Sequence, residues 1–210
     1  MAARVVCISA ADGAGAEEVG RLVAGELGYR LVDEHVIARA ADRAGVEPAT
    51  VAEAERRKSF IERMLEDLAP STTAAAVSMG AFVAPLDDGI PASDELRAFI
   101  RAAIEDVAEE GDVVIVAHAA SVALAQRDGA LRVLVTASPE VREQRLADAR
   151  GIEGGEARKL LRKVDANRAD YLKRFYGVSE EMPTHYDVVL STDRLDPGQA
   201  AQLVVHAARA

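Results

Sequence analysis

The chain has 210 residues and a mass of 22.3 kDa, room for one full-sized core, and half of its residues are hydrophobic, which excludes wholesale disorder. Tryptophan is absent, aromatics make up 4%, and alanine is about a fifth of the chain, so aliphatic side chains must build the core and helix is favoured. A net charge of −10 argues against a nucleic-acid partner, and the single cysteine, Cys7, excludes a disulfide framework or a cysteine-built zinc cluster.

In chain order, Arg4 to Ser9 is a short β-branched run of the kind a buried parallel strand requires. A glycine-containing turn, Ala10 to Ala16, leads to Val19, Leu22, Val23 and Leu27 at helical spacing, and Gly28 stands where that helix would end. Tyr29 to Asp33 reads as a second short strand, and Val36, Ile37 and Ala40 begin another helix. Residues 47–68 read as a strongly charged helix. From 69 to 93 the pattern dissolves among Pro70, Pro85, Pro91 and small polar residues, and a loop that long is usually functional or mobile.

Asp94 is placed to cap a helix carrying Leu96, Phe99, Ile100, Ile104 and Val107. Val113 to Ala117 is the clearest buried strand; Leu131 to Thr136 and Tyr186 to Ser191 follow, with helices expected over 139–150, 153–174 and 197–208. Strands alternating with helices predict an α/β fold with a mainly parallel sheet. The apolar runs are too short to span a bilayer, and Met1 to Ser9 lacks the pattern of a secretory signal, so a cytoplasmic protein with no membrane partner is expected.

Charge is uneven. Residues 139–176 carry ten Lys or Arg against seven Asp or Glu, a balance of +3 that leaves −13 for the rest. That segment is either a solvent face laced with ion pairs or a basic segment that meets an anionic ligand.

Several residues taken in order carry a more specific signal. Ile8-Ser9, Gly13-Ala14-Gly15, Leu27-Gly28-Tyr29, Val32-Asp33, Val113 to Val116, Arg132-Val133, and Val141-Arg142 with Arg145 come first. Asp165, Arg168, Tyr171, Arg174 to Gly177 and Tyr186 to Leu190 follow. Together they resemble the cytidylate kinase-like branch of the nucleoside monophosphate kinase family of P-loop proteins, over nearly the whole chain. The resemblance implies a three-layer P-loop kinase-like α/β fold in one domain, 1–210. Its core would be 1–33, 94–150 and 175–210, with a helical, nucleoside-monophosphate-binding-like insertion over 34–93 and a helical lid over 150–174. It further implies phosphoryl transfer from ATP, with Mg2+, to a nucleoside monophosphate such as CMP. A homodimer could supply an arginine in trans.

The departures are equally specific. A Walker A loop reads G-x-x-x-x-G-K-[ST]; here Ala10 replaces the first glycine, Ala16 the lysine and Glu17 the hydroxyl residue. The four lysines lie at 58, 159, 163 and 173, so none is local. The Gly-Arg-Gly that relatives carry after the third strand is Ala117-His118-Ala119 here. The turn's backbone N–H groups at Asp12, Gly13, Ala14, Gly15 and Ala16 can still cradle phosphate, whereas Glu17 and Glu18 add the wrong sign beside them. The same turn can equally be a tight strand-to-helix connection that binds nothing.

The remaining roles come from the resemblance, except that of His118, which stands at the end of a central strand where an open α/β sheet places ligands. Arg158, Arg162 and Arg168 would be lid arginines, Arg158 on the nucleotide and Arg162 and Arg168 on the transferring phosphate, with Asp165 orienting a neighbouring arginine. Arg142, Asp33 and His118 would meet the acceptor, although Asp33 also suits a helix N-cap and His118 a loop hydrogen bond. No metal ligand is assigned, and Asp112 is set aside because it stands at the start of its strand, the wrong end for a ligand site. Loss of the lysine predicts weak transfer; a non-catalytic relative that binds a nucleotide or a protein partner, or a kinase for another small phosphate acceptor, are the alternatives.

Overall fold

The computed structural model describes residues 2–32, 93–116 and 119–210. The chain divides into two compact units, 1–36 with 101–210, and 37–100; of the second, the described residues 93–100 are helical. The helices expected over 36–68, the loop over 69–92, and Asp33, Ala117 and His118 lie outside the described residues.

The elements are β1 (Val5–Ala10), α1 (Ala16–Leu27), β2 (Arg30–Val32), α2 (Ser93–Glu110), β3 (Val113–Val116), α3 (Ala120–Ala123), β4 (Ala130–Thr136), α4 (Pro139–Arg150), α5 (Gly154–Tyr176), a 3-10 turn (Pro183–His185), β5 (Val188–Ser191) and α6 (Pro197–Arg209). Among the described residues, five strands form one sheet in the order β2-β3-β1-β4-β5, every pairing parallel. β1 is central. Its Val5 stands opposite both Val113 and Ala130, and Val5, Val6, Cys7, Ile8 and Ser9 are all buried, which is why that run is unbrokenly apolar until the serine.

Alternation along the strands divides the core between two faces. Val6, Ile8, Val114, Val133 and Val135 pack with Val19 and Val23 of α1 and with Ala200, Ala201, Val204 and Val205 of α6. The alanines let these helices lie close to the sheet and to each other. Gly20 takes this further: a Cβ there would stand 2.3 Å from Val116 Cγ2, so α1 approaches β3 only because that position has no side chain. A separate small core of Leu146, Ala157 and Leu161 holds α4 against α5.

Helix ends follow their local chemistry. Ser138 accepts a hydrogen bond from the Val141 N–H ahead of Pro139, Asp196 and Gln199 form a reciprocal capping box, and Gly28, Gly151 and Gly177 close their helices with positive φ. Most boundaries shift by one or two residues from the sequence expectation, and two of the shifts bear on local structure. α2 begins at Ser93, so Asp94 lies in its first turn rather than capping it, and β5 begins at Val188 because the preceding 3-10 turn delivers the chain to the sheet two residues later. The four-residue α3 has no period long enough to read from sequence. Among the described residues no helix is long and apolar enough to cross a membrane.

Two glycines of α1 are expected to respond in opposite ways. Gly20→Ala should destabilise by about 1–3 kcal/mol, since overpacking against the stiff Val116 outweighs the gain in helix propensity. Gly25→Ala, on the exposed side with nothing within 4 Å of a new Cβ, should stabilise by about 0.5–1 kcal/mol. Urea denaturation of the two variants checks both signs.

Candidate phosphate-binding turn

The turn between β1 and α1 is closed by a hydrogen bond from the Ala14 N–H to the Ala11 carbonyl, 3.1 Å. Gly13 and Gly15 have φ of 78° and 82°, the left-handed region that glycine enters without steric cost. Gly13 is also pressed onto α4, where a Cβ would meet the Arg142 carbonyl oxygen at 3.2 Å. The methyl groups of Ala14 and Ala16 are buried in the core. Among the described residues no acceptor takes the N–H groups of Gly15, Ala16 or Glu17, which are the orphan donors of a first helical turn. Glu17 and Glu18 are exposed beside them; Arg21 pairs with Glu18 and holds its carboxyl below the usual range.

Three side chains hold the turn from its carbonyl side. Arg142 Nε donates to the Asp12 carbonyl (2.6 Å), Arg145 Nη1 to the Gly13 carbonyl (3.3 Å) and Thr192 Oγ1 to the Ala14 carbonyl (2.8 Å). Arg142, almost fully buried, also grips Asp165 of α5 through both terminal nitrogens, at 3.1 and 2.6 Å. Arg145 donates to both Thr192 Oγ1 (2.9 Å) and the Thr192 carbonyl (2.7 Å).

The lid candidates of α5 reach different partners. Asp165 orients an arginine, but one supplied by α4. Arg158 is exposed and pairs with Glu143 at 2.7 and 3.2 Å, beside a cleft of about 290 Å3 lined by Glu140, Asp148 and Ile152. Arg162 is exposed and has no partner among the described residues. Arg168 is bidentate to Glu181, at 3.0 and 2.7 Å, and the Tyr186 hydroxyl donates to the same carboxylate. Of the three acceptor candidates, Arg142 joins the turn, whereas Asp33 and His118 lie outside the described residues.

Electrostatics in the Arg168 cluster follow from this packing. Burial alone would raise the Glu181 carboxyl, but Arg168 and the Tyr186 hydroxyl outweigh it and hold the group below its usual range. Burial, reinforced by Glu181, pushes the Tyr186 phenol up to about 12. Cys7, buried in β1, is pushed up to about 12 by desolvation and is a core side chain rather than a nucleophile. At the end of β1, Ser9 and Ser121 share a buried hydrogen bond of 3.0 Å. Ala119 adopts φ 55° just before α3, where the family pattern has a glycine, and its methyl joins Tyr171 and Leu172 in a small core.

Thr192 and Glu181 have no role assigned from the sequence, whereas Arg145 is marked there beside Arg142 in the family pattern. Arg145 follows Arg142 by three residues and so shares its helix face, a usable signal; nothing local marks Thr192 or Glu181. Among the described residues no group of three or more His, Cys, Asp or Glu could hold a metal ion.

A model of the Cytidylate kinase-like family matches residues 5–194. The cytidylate kinase of Methanopyrus kandleri is 34% identical over 97 residues, 42% of this chain and 50% of that one, so the chain spans about half the length of this curated relative. Among solved structures, an uncharacterized protein from Eubacterium ventriosum superposes with a TM-score of 0.67 at 13% identity, covering 97% of each chain. Shikimate kinase from Bacteroides thetaiotaomicron does so with a TM-score of 0.53 at 17% identity and the same coverage. At these identities the structural likeness establishes the fold, that of P-loop kinases.

The lowered Glu181 carboxyl gives a pH dependence with a fixed sign. Its stabilisation is fully present above the ordinary glutamate range, near 4.5, and is lost as pH falls through the lower folded value. Glu181→Gln should therefore cost about 1–3 kcal/mol at pH 7 and flatten the acid limb of stability against pH. Urea midpoints from pH 7 to pH 3 test this; parallel curves for the two proteins would contradict it.

Proposed function

Because the chain belongs to the cytidylate kinase-like family, we propose that it binds a nucleoside triphosphate at the Asp12 to Ala16 turn and transfers phosphoryl groups only slowly to a CMP-like nucleoside monophosphate. One observation carries this reading. The turn keeps its glycine conformations and undonated N–H groups, while the position of the Walker lysine is a buried alanine methyl and the two arginines that reach the turn are spent on its carbonyls. Backbone donors of this kind bind phosphate without following it through transfer. By analogy with other transition-state donors, the missing contact is worth ~3 kcal/mol, on the order of a hundredfold in rate.

In this reading the lid is the 150–174 segment, and its arginines must exchange partners to reach a nucleotide. Arg162 is exposed, but Arg158 would have to leave Glu143 and Arg168 would have to leave Glu181. The 34–93 segment, with Asp33 and His118, would contact the acceptor, and a cytoplasmic nucleotide pool would be the setting. Among the described residues no cluster of three or more His, Cys, Asp or Glu could hold a metal ion by itself; Mg2+ would enter with ATP as part of the substrate. The exposed Glu17 and Glu18 beside the helix start favour a second reading, a family member that binds nucleotide and performs no transfer.

Measuring ATP affinity and phosphate transfer to CMP, dCMP and UMP tests the proposal, for the natural protein and for Ala16→Lys combined with Glu17→Thr. Natural turnover should fall well below about 10 per second, a typical enzyme value, and the double substitution should raise both affinity and rate. Ordinary turnover in the natural protein would overturn the slow-transfer reading; binding with no transfer at all would select the second one.

A further inference from the structure

We propose that Arg145 is the cation of this phosphate loop, placed beneath the turn instead of within it. The inference rests on the reading that the turn receives nucleotide phosphates. Its physical basis is an uncompensated charge. Arg142 shares its guanidinium with the carboxylate of Asp165, so its charge is largely neutralised locally. Every described acceptor of Arg145 is neutral: the Gly13 carbonyl, the Thr192 carbonyl and the Thr192 hydroxyl. An arginine remains protonated under all ordinary conditions, so a full positive charge stands under the turn. Nη1 lies 3.9 Å from where a Cβ on Gly15 would be, which places that charge close to the second glycine of the turn.

Thr192 fixes the arrangement. Its Oγ1 accepts from Arg145, so its own proton faces away from the guanidinium, toward the Ala14 carbonyl at 2.8 Å, the nearer of two acceptors, the other being the Thr136 carbonyl at 3.3 Å. Arg145 and Thr192 thus hold two successive carbonyls on the side away from the undonated N–H groups, and Arg142 holds the one before them. A partly buried charge is screened by salt far less than an exposed one, so an anion seated on the N–H side experiences it through the thickness of the loop. Arg145 is a positioning residue in this role, because it touches the loop and not the phosphate. Fixed beneath the turn, it favours binding without accompanying the group that moves.

Calorimetric titration with ATP and Mg2+ tests this in four full-length variants. Arg145→Met should weaken ATP binding by about tenfold or more, and Arg145→Lys, which keeps the charge, should stay within about threefold of the natural protein. Adding Ala16→Lys to Arg145→Met should restore affinity, which a purely structural role would not allow. Arg132→Met, which breaks an ion pair with Asp187 at the other end of β4, should lower thermal stability and leave ATP affinity unchanged. If Arg145→Met does not fold, the same loss is expected of Arg145→Gln. Natural-like affinity in the uncharged variants, equal weakening in Arg145→Lys, or failure of Ala16→Lys to restore binding would overturn the role of Arg145 alone. Absence of ATP binding by the natural protein would overturn the nucleotide reading and this proposal with it.

Discussion

Three consecutive carbonyl groups, those of Asp12, Gly13 and Ala14, are held from one side by Arg142, Arg145 and Thr192. A backbone that short can satisfy its carbonyls outward only if its glycines take the left-handed conformation, as Gly13 and Gly15 do. The consequence is a turn whose acceptors are committed and whose donors are not. β1 carries this turn because it is the central strand, flanked by β3 and β4 in register from Val5 onward. Thr192, just past β5, and the two arginines of α4 reach it because parallel strands deliver their following segments to the same edge of the sheet.

Charge then separates two halves of the surroundings. Beneath the turn, one arginine is balanced by Asp165 and the other by no described carboxylate. Farther along α5, Arg168 is fastened to Glu181, whose carboxylate also accepts from the Tyr186 hydroxyl. That pair is partly buried, so each partner depends on the other: removing the carboxylate would leave a guanidinium short of solvent. Arg142 with Asp165 ties α5 to this turn through a single guanidinium, so a displacement of that helix would be felt at the Asp12 carbonyl. The substitution of Ala16 for a lysine therefore sits in a turn whose shape is maintained by other means.

The sheet was legible in the sequence because β1 and β3 are buried on both faces and read as continuous, largely β-branched runs, Val113 to Val116 above all. Helix ends were legible where glycine or proline punctuates them, at Gly28, Pro139 and Pro197. α3 was not, since four residues carry no period. The turn was visible from its glycines and its missing lysine, and its family from the order of motifs. What the sequence could not convey was partner choice: helical spacing aligns Arg158, Asp165 and Arg168, but the three meet Glu143, Arg142 and Glu181, residues 13 to 23 positions away. Such pairings are set by how helices and loops pack, and no local pattern encodes them.

The central claim is that this turn binds phosphate through its backbone although its lysine is gone. Amide proton–nitrogen NMR spectra of the natural protein, recorded as ATP is added, test it most directly. The largest shifts are expected on the amides of Gly15, Ala16 and Glu17, saturating together. ATP-induced shifts confined to other parts of the chain, with those three amides unmoved, would contradict it.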